Sequence, residues 1–146
     1  MQNFMTLKIK AISKNEAFAR SVVAAFCASL NPTVDQLSDI KTAISEAVTN
    51  SIVHGYKGKN DGIIEVNATL KGSSVHIEIL DSGIGIADIE TAKKPFFTTK
   101  AKDERSGMGF TVMESFMDKL EVKPRDGGGL VVSMTKNFNM NTKKAG

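Results

Sequence analysis

Apolar and polar residues alternate in five short segments of the chain, a pattern typical of half-buried β-strands. These segments are residues 7–12, 64–70, 75–79, 120–123 and 130–135. Residues 71–74 and 127–129 are rich in glycine and serine, so they predict turns that join the last four segments into two antiparallel hairpins. The alternation therefore predicts five strands.

Apolar residues recur at helical spacing in a segment that follows the first strand. Ser13 and Glu16 form a capping-box pattern at its start, and Asn31-Pro32 predicts its end. Because its apolar residues recur every four positions, we expect one face of this helix to pack on the core. The predicted core stripe consists of Phe18, Val22, Phe26 and Leu30.

A second, longer helix is predicted from Thr33, which repeats the capping pattern with Gln36, to Gly55. Its apolar stripe consists of Leu37, Ile40, Ile44, Val48 and Ile52. Apolar residues between Phe110 and Met117 predict a short third helix. Residues 81–109 show no periodicity, and loops of this length are usually functional.

Five strands and three helices predict an α/β fold. We expect a two-layer sandwich, with a mixed but mostly antiparallel sheet covered on one face by the helices. The 146 residues are enough for one domain, which we place at residues 1–136. Residues 137–146 are polar and predict a flexible tail.

Composition excludes several classes of protein. The hydrophobic fraction of 41% and the charged fraction of 24% are those of an ordinary globular protein, so disorder is not favoured. The net charge of +3 comes without interleaved aromatic residues, which argues against nucleic acid as a partner. Cys27 lies in a helical apolar pattern and predicts a core residue in a reducing compartment. Without a signal peptide or a run of roughly 18 apolar residues, we expect a cytoplasmic protein.

Glu46 and Asn50 are the first candidate functional pair. They lie four residues apart on the second helix and therefore share one face. That face is roughly opposite the apolar stripe, so we expect both side chains to lie off the core. The alternative interpretation is an ordinary solvated pair on a helix surface.

A second candidate is the sequence Asp81-Ser82-Gly83-Ile84-Gly85, which follows a predicted strand directly. A carboxylate at this sheet edge can accept the amino hydrogen of adenine, and Gly83 and Gly85 let the backbone approach a flat ligand. An aspartate-initiated turn without a ligand is the alternative.

The third candidate, residues 105–110, is a glycine-rich turn that leads into the third helix. Unpaired N–H groups at a helix start favour phosphate, and Arg105 adds a planar pair of donors. A flexible linker is the alternative interpretation. The dinucleotide fingerprint, the phosphate-binding loop motif of the Walker type and the common hydrolase motif are all missing from the sequence.

The order and spacing of these three motifs resemble a superfamily of ATPases and kinases. It unites gyrase-type ATPases, Hsp90-type chaperones, histidine kinases and MutL-type repair proteins, and the resemblance spans nearly the whole chain. Residues 45–56 are similar to the corresponding helix of bacterial anti-sigma serine kinases. Residues 15–20, 95–100 and 104–110 are similar to the first helix and the lid of the sporulation members of that family.

The resemblance implies ATP and Mg²⁺ as cofactors. It implies that Asn50 binds the metal, that Asp81 selects adenine, and that Glu46 is the general base toward a serine hydroxyl. Arg105 would neutralise charge on the transferred phosphoryl group. The remaining residues implied at the nucleotide are Gly83, Gly85, Thr98, Thr99, Lys100, Ser106, Gly107 and Gly109.

The same resemblance implies protein partners. It places Arg20 at the contact with the protein partners. These are a sigma factor of the sigma-F type and an anti-anti-sigma protein, a serine of which is the substrate. It also implies a homodimer. One residue departs from the family pattern, because Leu130 stands where a threonine usually follows the three glycines. We expect Ser133 or a water molecule to replace that hydroxyl.

Two alternatives to this function remain open, and two others are disfavoured. A stress-response anti-sigma kinase carries similar motifs, and a non-catalytic module could hold its sigma factor in an ATP-dependent way. A histidine-kinase module is disfavoured, because His54 is expected at a helix end and His76 on the surface of the sheet. A gyrase-like or chaperone-like ATPase would need a second domain, for which 146 residues leave no room.

Overall fold

The structure is a computed structural model that describes residues 2–56, 62–83 and 108–139. Its strands are β1 (Gln2–Lys10), β2 (Ile63–Lys71), β3 (Ser74–Leu80), β4 (Lys119–Pro124) and β5 (Leu130–Asn137). Its helices are α1 (Lys14–Cys27), α2 (Val34–Asn50) and α3 (Met108–Phe116). A 3₁₀ turn (Ala28–Leu30) follows α1, and a π-helical turn (Ser51–Gly55) follows α2.

The five strands form one sheet in the order β1-β2-β3-β5-β4. Every neighbouring pair is antiparallel, so the predicted α/β sandwich is confirmed, with a sheet that is antiparallel throughout. The end of β3 pairs with the start of β5, where Leu80 lies opposite Val131. This pairing brings the residue after β3 next to the glycines that precede β5.

Helix α2 is the central helix and packs between α1 and α3. Its predicted stripe is confirmed, because Ile40, Ile44, Val48 and Ile52 are buried. The predicted capping box is present as well: Gln36 N donates to Thr33 Oγ1 at 3.1 Å, and Thr33 N donates to Gln36 Oε1 at 2.8 Å. These bonds fix the start of the helix that carries both Glu46 and Asn50.

The predicted stripe of α1 is confirmed only in part, because Phe26 and Leu30 pack against the core and Phe18 does not. Phe18 is 51% exposed, while Ala19, Val23 and Cys27 are fully buried. Both sets of residues recur every four positions, so the sequence pattern fits either face of the helix. The buried set, Ala19, Val23 and Cys27, has small side chains, which let α1 lie close to α2. The capping box predicted at Ser13 is also wrong, because its side chain makes no capping hydrogen bond.

The last strand extends past the boundary predicted at residue 136. β5 includes Asn137, and the Phe138 side chain is buried. Gln36 Nε2 donates to Phe138 O at 2.9 Å, which ties this end of the chain to α2. The rest of the predicted tail, residues 140–146, lies outside the described residues. No helix within the described ranges is long and apolar enough to cross a bilayer.

Candidate functional site

Asp81 follows β3 and is almost completely buried, with 1% of its surface exposed. Its Oδ1 accepts hydrogen bonds from Gly83 N at 3.0 Å and from Leu130 N at 3.3 Å. Its own backbone N donates to Leu130 O at 3.1 Å. Backbone donors from two segments therefore hold this carboxylate at the end of the sheet as a hydrogen-bond acceptor.

Ser51 supplies a side-chain donor to the same carboxylate. Its Oγ donates to Asp81 Oδ2 at 2.8 Å, and the residue is 2% exposed. The bond joins the end of α2 to the end of β3, so the helical and strand motifs meet at one point. Sequence reasoning missed Ser51, although its position directly after Asn50 was a usable signal.

Gly129 lets the loop before β5 pass directly against Asp81. Its φ is +99°, and a Cβ placed on it would lie 2.0 Å from the backbone oxygen of Asp81. Arg125 Nη1 reaches the same oxygen at 3.2 Å and Ser82 Oγ at 3.1 Å. The run of three glycines, predicted only as a turn, therefore also forms one wall of the site.

The hydroxyl expected near Leu130 is not supplied by Ser133. Ser133 lies three residues along β5 from Leu130 and so on the opposite face of the sheet, where it pairs with Glu78 and Glu121. At about 3.3 Å per strand residue it is roughly 10 Å from the position of Leu130. The expectation that Ser133 substitutes is therefore wrong, and the hydroxyl bonded to Asp81 is that of Ser51.

Asn50, the last residue of α2, lies with its side chain against the start of α3, in a buried position that the sequence did not predict. It is only 5% exposed, and within the described residues its Nδ2 has no hydrogen-bond partner. A Cβ placed on Gly109 would lie 2.9 Å from this Nδ2 and 3.3 Å from Oδ1. The expectation that this face lies off the core fails because α3 covers it. Glu46, one turn earlier on α2, is half-buried.

Tyr56 closes the site on the side of β2. Its hydroxyl donates to Ile63 O at 2.6 Å and accepts a bond from Ser82 N at 2.7 Å. Its ring lies where a side chain at Gly62 would be, since a Cβ there would come within 2.5 Å of the ring. The tyrosine thus links the π-helical turn to the start of β2 and to the Asp81 turn after β3.

Comparison with known proteins agrees with this geometry. The profile of the histidine kinase-like ATPase domain matches residues 11–136. Over 134 residues the chain is 55% identical to the anti-sigma F factor of Thermoanaerobacter sp. (strain X514), covering 92% of this chain and 93% of that protein. The chain belongs to this family of histidine kinase-like ATPase domains.

Other relatives extend the match across different bacteria. The anti-sigma F factor of Clostridium beijerinckii is 52% identical, with 94% of this chain and 96% of that protein covered. That of Bacillus cereus (strain G9842) is 50% identical, with 93% of each covered. The catalytic domain of the histidine kinase ThkA, in a nucleotide-free form, shares the fold with a TM-score of 0.59 at 17% identity, over 93% of this chain and 96% of that one.

Several predicted site residues lie outside the part of the chain that the structure describes. They are Gly85, Thr98, Thr99, Lys100, Arg105, Ser106 and Gly107. Of the predicted nucleotide-binding residues that are described, Gly83 donates to Asp81, and Gly109 lies against Asn50. His76 is exposed on the sheet, as predicted, and its Nδ1 lies 3.0 Å from Thr135 Oγ1.

Arg20 lies in a polar cluster between α1 and α2. Its Nη1 pairs with Glu16 Oε2, which also accepts a hydrogen bond from Ser45 Oγ. The same guanidinium nitrogen lies 3.4 Å from Ser45 Oγ. Glu16 therefore binds two side chains of this cluster instead of capping α1. Ser45, the residue that precedes Glu46, connects the arginine to α2.

Proposed function

We propose that this chain is an ATP-dependent protein serine kinase and anti-sigma factor. It sequesters a sigma factor of the sigma-F type and phosphorylates a serine of an anti-anti-sigma protein. The names of the relatives support the sigma factor as a partner. The family match supports ATP as the bound nucleotide.

A continuous set of contacts carries the proposal. Gly109 lies against Asn50, the neighbouring Ser51 binds Asp81, and Gly129 passes against Asp81. Four separate parts of the chain therefore meet: the first turn of α3, the end of α2, the end of β3 and the loop before β5. Ligand sites commonly place a few polar groups at such a meeting point of elements.

Asp81 would bind the base of the nucleotide. Its carboxylate is held by O–H and N–H donors, so it offers a hydrogen-bond acceptor to a ligand. The exocyclic amine of adenine is a donor that matches it. Gly83 and Gly129 keep the surrounding backbone free of side chains, which suits a flat ring.

Asn50 would bind the polyphosphate end. A buried amide N–H without a partner is costly, and a phosphate oxygen would satisfy it. Turning the amide over presents the side-chain oxygen instead, which suits Mg²⁺. The donor set therefore fits a metal-bound triphosphate, and Mg²⁺ when bound would neutralise phosphate charge. The adjacent start of α3 adds N–H groups and the positive end of the helix dipole.

Glu46 would accept the proton of the substrate serine. In the transfer, a bond forms between the serine oxygen and the γ-phosphorus while the bond to the β-phosphate bridging oxygen breaks and ADP leaves. The serine proton goes to the Glu46 carboxylate. Its place one turn before Asn50 puts the base on the same face of α2 as the phosphate-binding amide.

A phosphotransfer assay with a Glu46→Gln variant tests the proposal. The wild type should bind ATP and label a candidate anti-anti-sigma protein, while Glu46→Gln should bind ATP equally well and lose most of the transfer, on the order of 10²-fold or more. The matched control, Glu121→Gln on the exposed surface of β4, should behave as wild type.

Two outcomes would contradict the proposal in different ways. If the wild type binds ATP but transfers no phosphate to any candidate serine, the kinase activity is wrong and the non-catalytic sequestering module is favoured. If it binds no ATP, the nucleotide site itself is wrong. Sigma-factor binding is measured separately, by pull-down with and without ATP.

A further inference from the structure

The two oxygens of the Asp81 carboxylate have different kinds of partner. Oδ1 accepts from two backbone N–H groups, those of Gly83 and Leu130. Oδ2 accepts from the hydroxyl of Ser51. Backbone donors are present with almost any sequence, so among these three donors only the Ser51 hydroxyl depends on the identity of a side chain.

Backbone hydrogen bonds fix the position of Ser51 and so the direction of its hydroxyl. Its backbone N donates to Ala47 O and Val48 O, and its own carbonyl accepts from Tyr56 N at 2.9 Å. Since the residue is 2% exposed, bulk water does not reach its side chain to replace the bond to Asp81. The backbone N–H and C=O of Ser51 are thus both hydrogen-bonded, and its hydroxyl donates to the Asp81 carboxylate.

We propose that Ser51 is a positioning residue that sets the base specificity of the nucleotide site. By holding Oδ2 in one orientation, it lets the carboxylate accept a hydrogen bond from a 6-amino purine and reject a 6-oxo purine. The inference rests on the proposed ATP binding and names the residue that makes the site selective. It also identifies the hydroxyl at Asp81 in a chain that has Leu130 after its three glycines.

The physical reason is that rejection requires a fixed acceptor. A site built to hydrogen-bond a ligand N–H discriminates strongly against an analogue that lacks it, because a buried polar group is then left unpaired. Without the Ser51 donor, Oδ2 loses a hydrogen bond that fixes its direction, while Oδ1 keeps its bonds to the two backbone N–H groups. The hydrogen bond from the 6-amino group to the carboxylate then weakens. The difference in affinity between adenine and a base without that amine becomes smaller.

The test compares ATP with purine riboside triphosphate, which has hydrogen in place of the 6-amino group. In Ser51→Ala we expect the dissociation constant for ATP to rise roughly five- to tenfold, while that for the amine-free analogue changes less than about twofold. The affinity ratio of ATP to GTP should fall correspondingly. If Ser51 had a purely structural role, its substitution would weaken the binding of ATP and of the analogue by the same factor.

Two further variants make the result decisive. Ser51→Cys retains the size of the side chain but has a weak donor, so it should show the same selective loss even if the alanine variant is unstable. Ser38→Ala removes an exposed serine hydroxyl on α2 and should match the wild type.

The inference and the proposed function fail in distinguishable ways. If Ser51→Cys and Ser51→Ala keep the wild-type preference for ATP over its amine-free analogue, the role of Ser51 is wrong while ATP binding stands. If the wild type binds neither nucleotide, both the specificity role and the proposed site are overturned.

Discussion

Gly109 in the first turn of α3 lies against the side chain of Asn50 at the end of α2, with no room for a methyl group between them. A Cβ on Gly109 would lie 2.9 Å from Asn50 Nδ2, closer than ordinary van der Waals contact. The atom it would meet is the far end of a side chain, which can move, and not backbone. This contact links the glycine-rich turn to the residue proposed to bind phosphate or metal.

We expect Gly109→Ala to damage nucleotide binding and not the fold. Alanine is favoured over glycine within a helix by about 1 kcal/mol, so the free energy of unfolding should not fall much. The new methyl group should displace the Asn50 amide by a few tenths of an ångström and weaken Mg²⁺-dependent ATP binding roughly tenfold. ATP titrations with and without Mg²⁺ measure this effect.

A control on the same helix is Ser115→Ala, since Ser115 is exposed near the opposite end of α3. Its ATP affinity should equal that of the wild type. An unchanged affinity in Gly109→Ala would show that the position of the Asn50 side chain does not matter for binding.

The three glycines before β5 should differ sharply in their tolerance of alanine. Gly129 has φ +99°, and a Cβ there would meet Asp81 O at 2.0 Å; Gly127 has φ +86° but nothing within 4 Å of its Cβ position. Both substitutions carry a backbone cost of roughly 1–2 kcal/mol. Only Gly129→Ala must also displace the Asp81 backbone, so we expect a further loss of about 2 kcal/mol or more.

Urea denaturation of both variants measures the difference, with Gly127→Ala as the matched control for the backbone cost. ATP affinity should fall together with stability only in Gly129→Ala, because the added methyl group clashes with Asp81, the residue proposed to bind the base. Equal losses of stability in the two variants would contradict the close approach between Gly129 and Asp81.

The elements that the sequence predicted best are those in which only one face is apolar. The strands β2, β3 and β5 alternate cleanly, and α2 has a single stripe with a capping box, so each pattern permits one orientation. In α1 two adjacent stripes fit, and the choice between Phe18 and Ala19 depends on how closely α2 approaches. The distance between α1 and α2 cannot be read from a single sequence.

The candidate site shows the same division. Asn50 and Asp81 were predicted from motif chemistry, but the burial of Asn50 depends on α3, whose packing on α2 a helical period cannot reveal. Ser51 and Gly129 were missed because their roles come from contacts between distant segments. Such contacts belong to the tertiary structure and leave little local pattern.

The cluster around Arg20 makes a prediction about partner binding. Glu16 and Ser45 hold the guanidinium, so less conformational freedom is lost when Arg20 contacts a partner. We expect Arg20→Glu to abolish measurable binding of the sigma factor. Ser45→Ala should weaken it by only about two- to fivefold, because the Glu16 pair remains. ATP affinity should not change in either variant.

A double-mutant cycle tests whether Ser45 acts through Arg20. In an Arg20→Ala background, Ser45→Ala should have no further effect on partner affinity. Ser21→Ala, an exposed serine on α1, serves as the control. Additive losses in the double variant would show that Ser45 contributes independently of the arginine.

Cys27 gives the fold a pH dependence on the alkaline side. The thiol is completely buried between the helices and the sheet, and this burial raises its pKa from 9.0 to about 12. In the unfolded chain the thiol loses its proton above about pH 9, whereas in the folded chain it keeps it. The folded state therefore binds more protons in this window, and stability must fall as the pH rises from 9 toward 12.

The contribution of this thiol to the free energy of unfolding falls by at most about 1.4 kcal/mol per pH unit. Urea denaturation at several values between pH 7.5 and 10.5 measures it, and Cys27→Ala removes it while costing about 1 kcal/mol or more at every pH through the cavity it leaves. Lysines also titrate near this range, but they do so in both proteins, so the difference between the two curves isolates the thiol. We expect the wild type to lose its stability advantage over Cys27→Ala as the pH rises; parallel curves would mean that Cys27 is not buried as a neutral thiol.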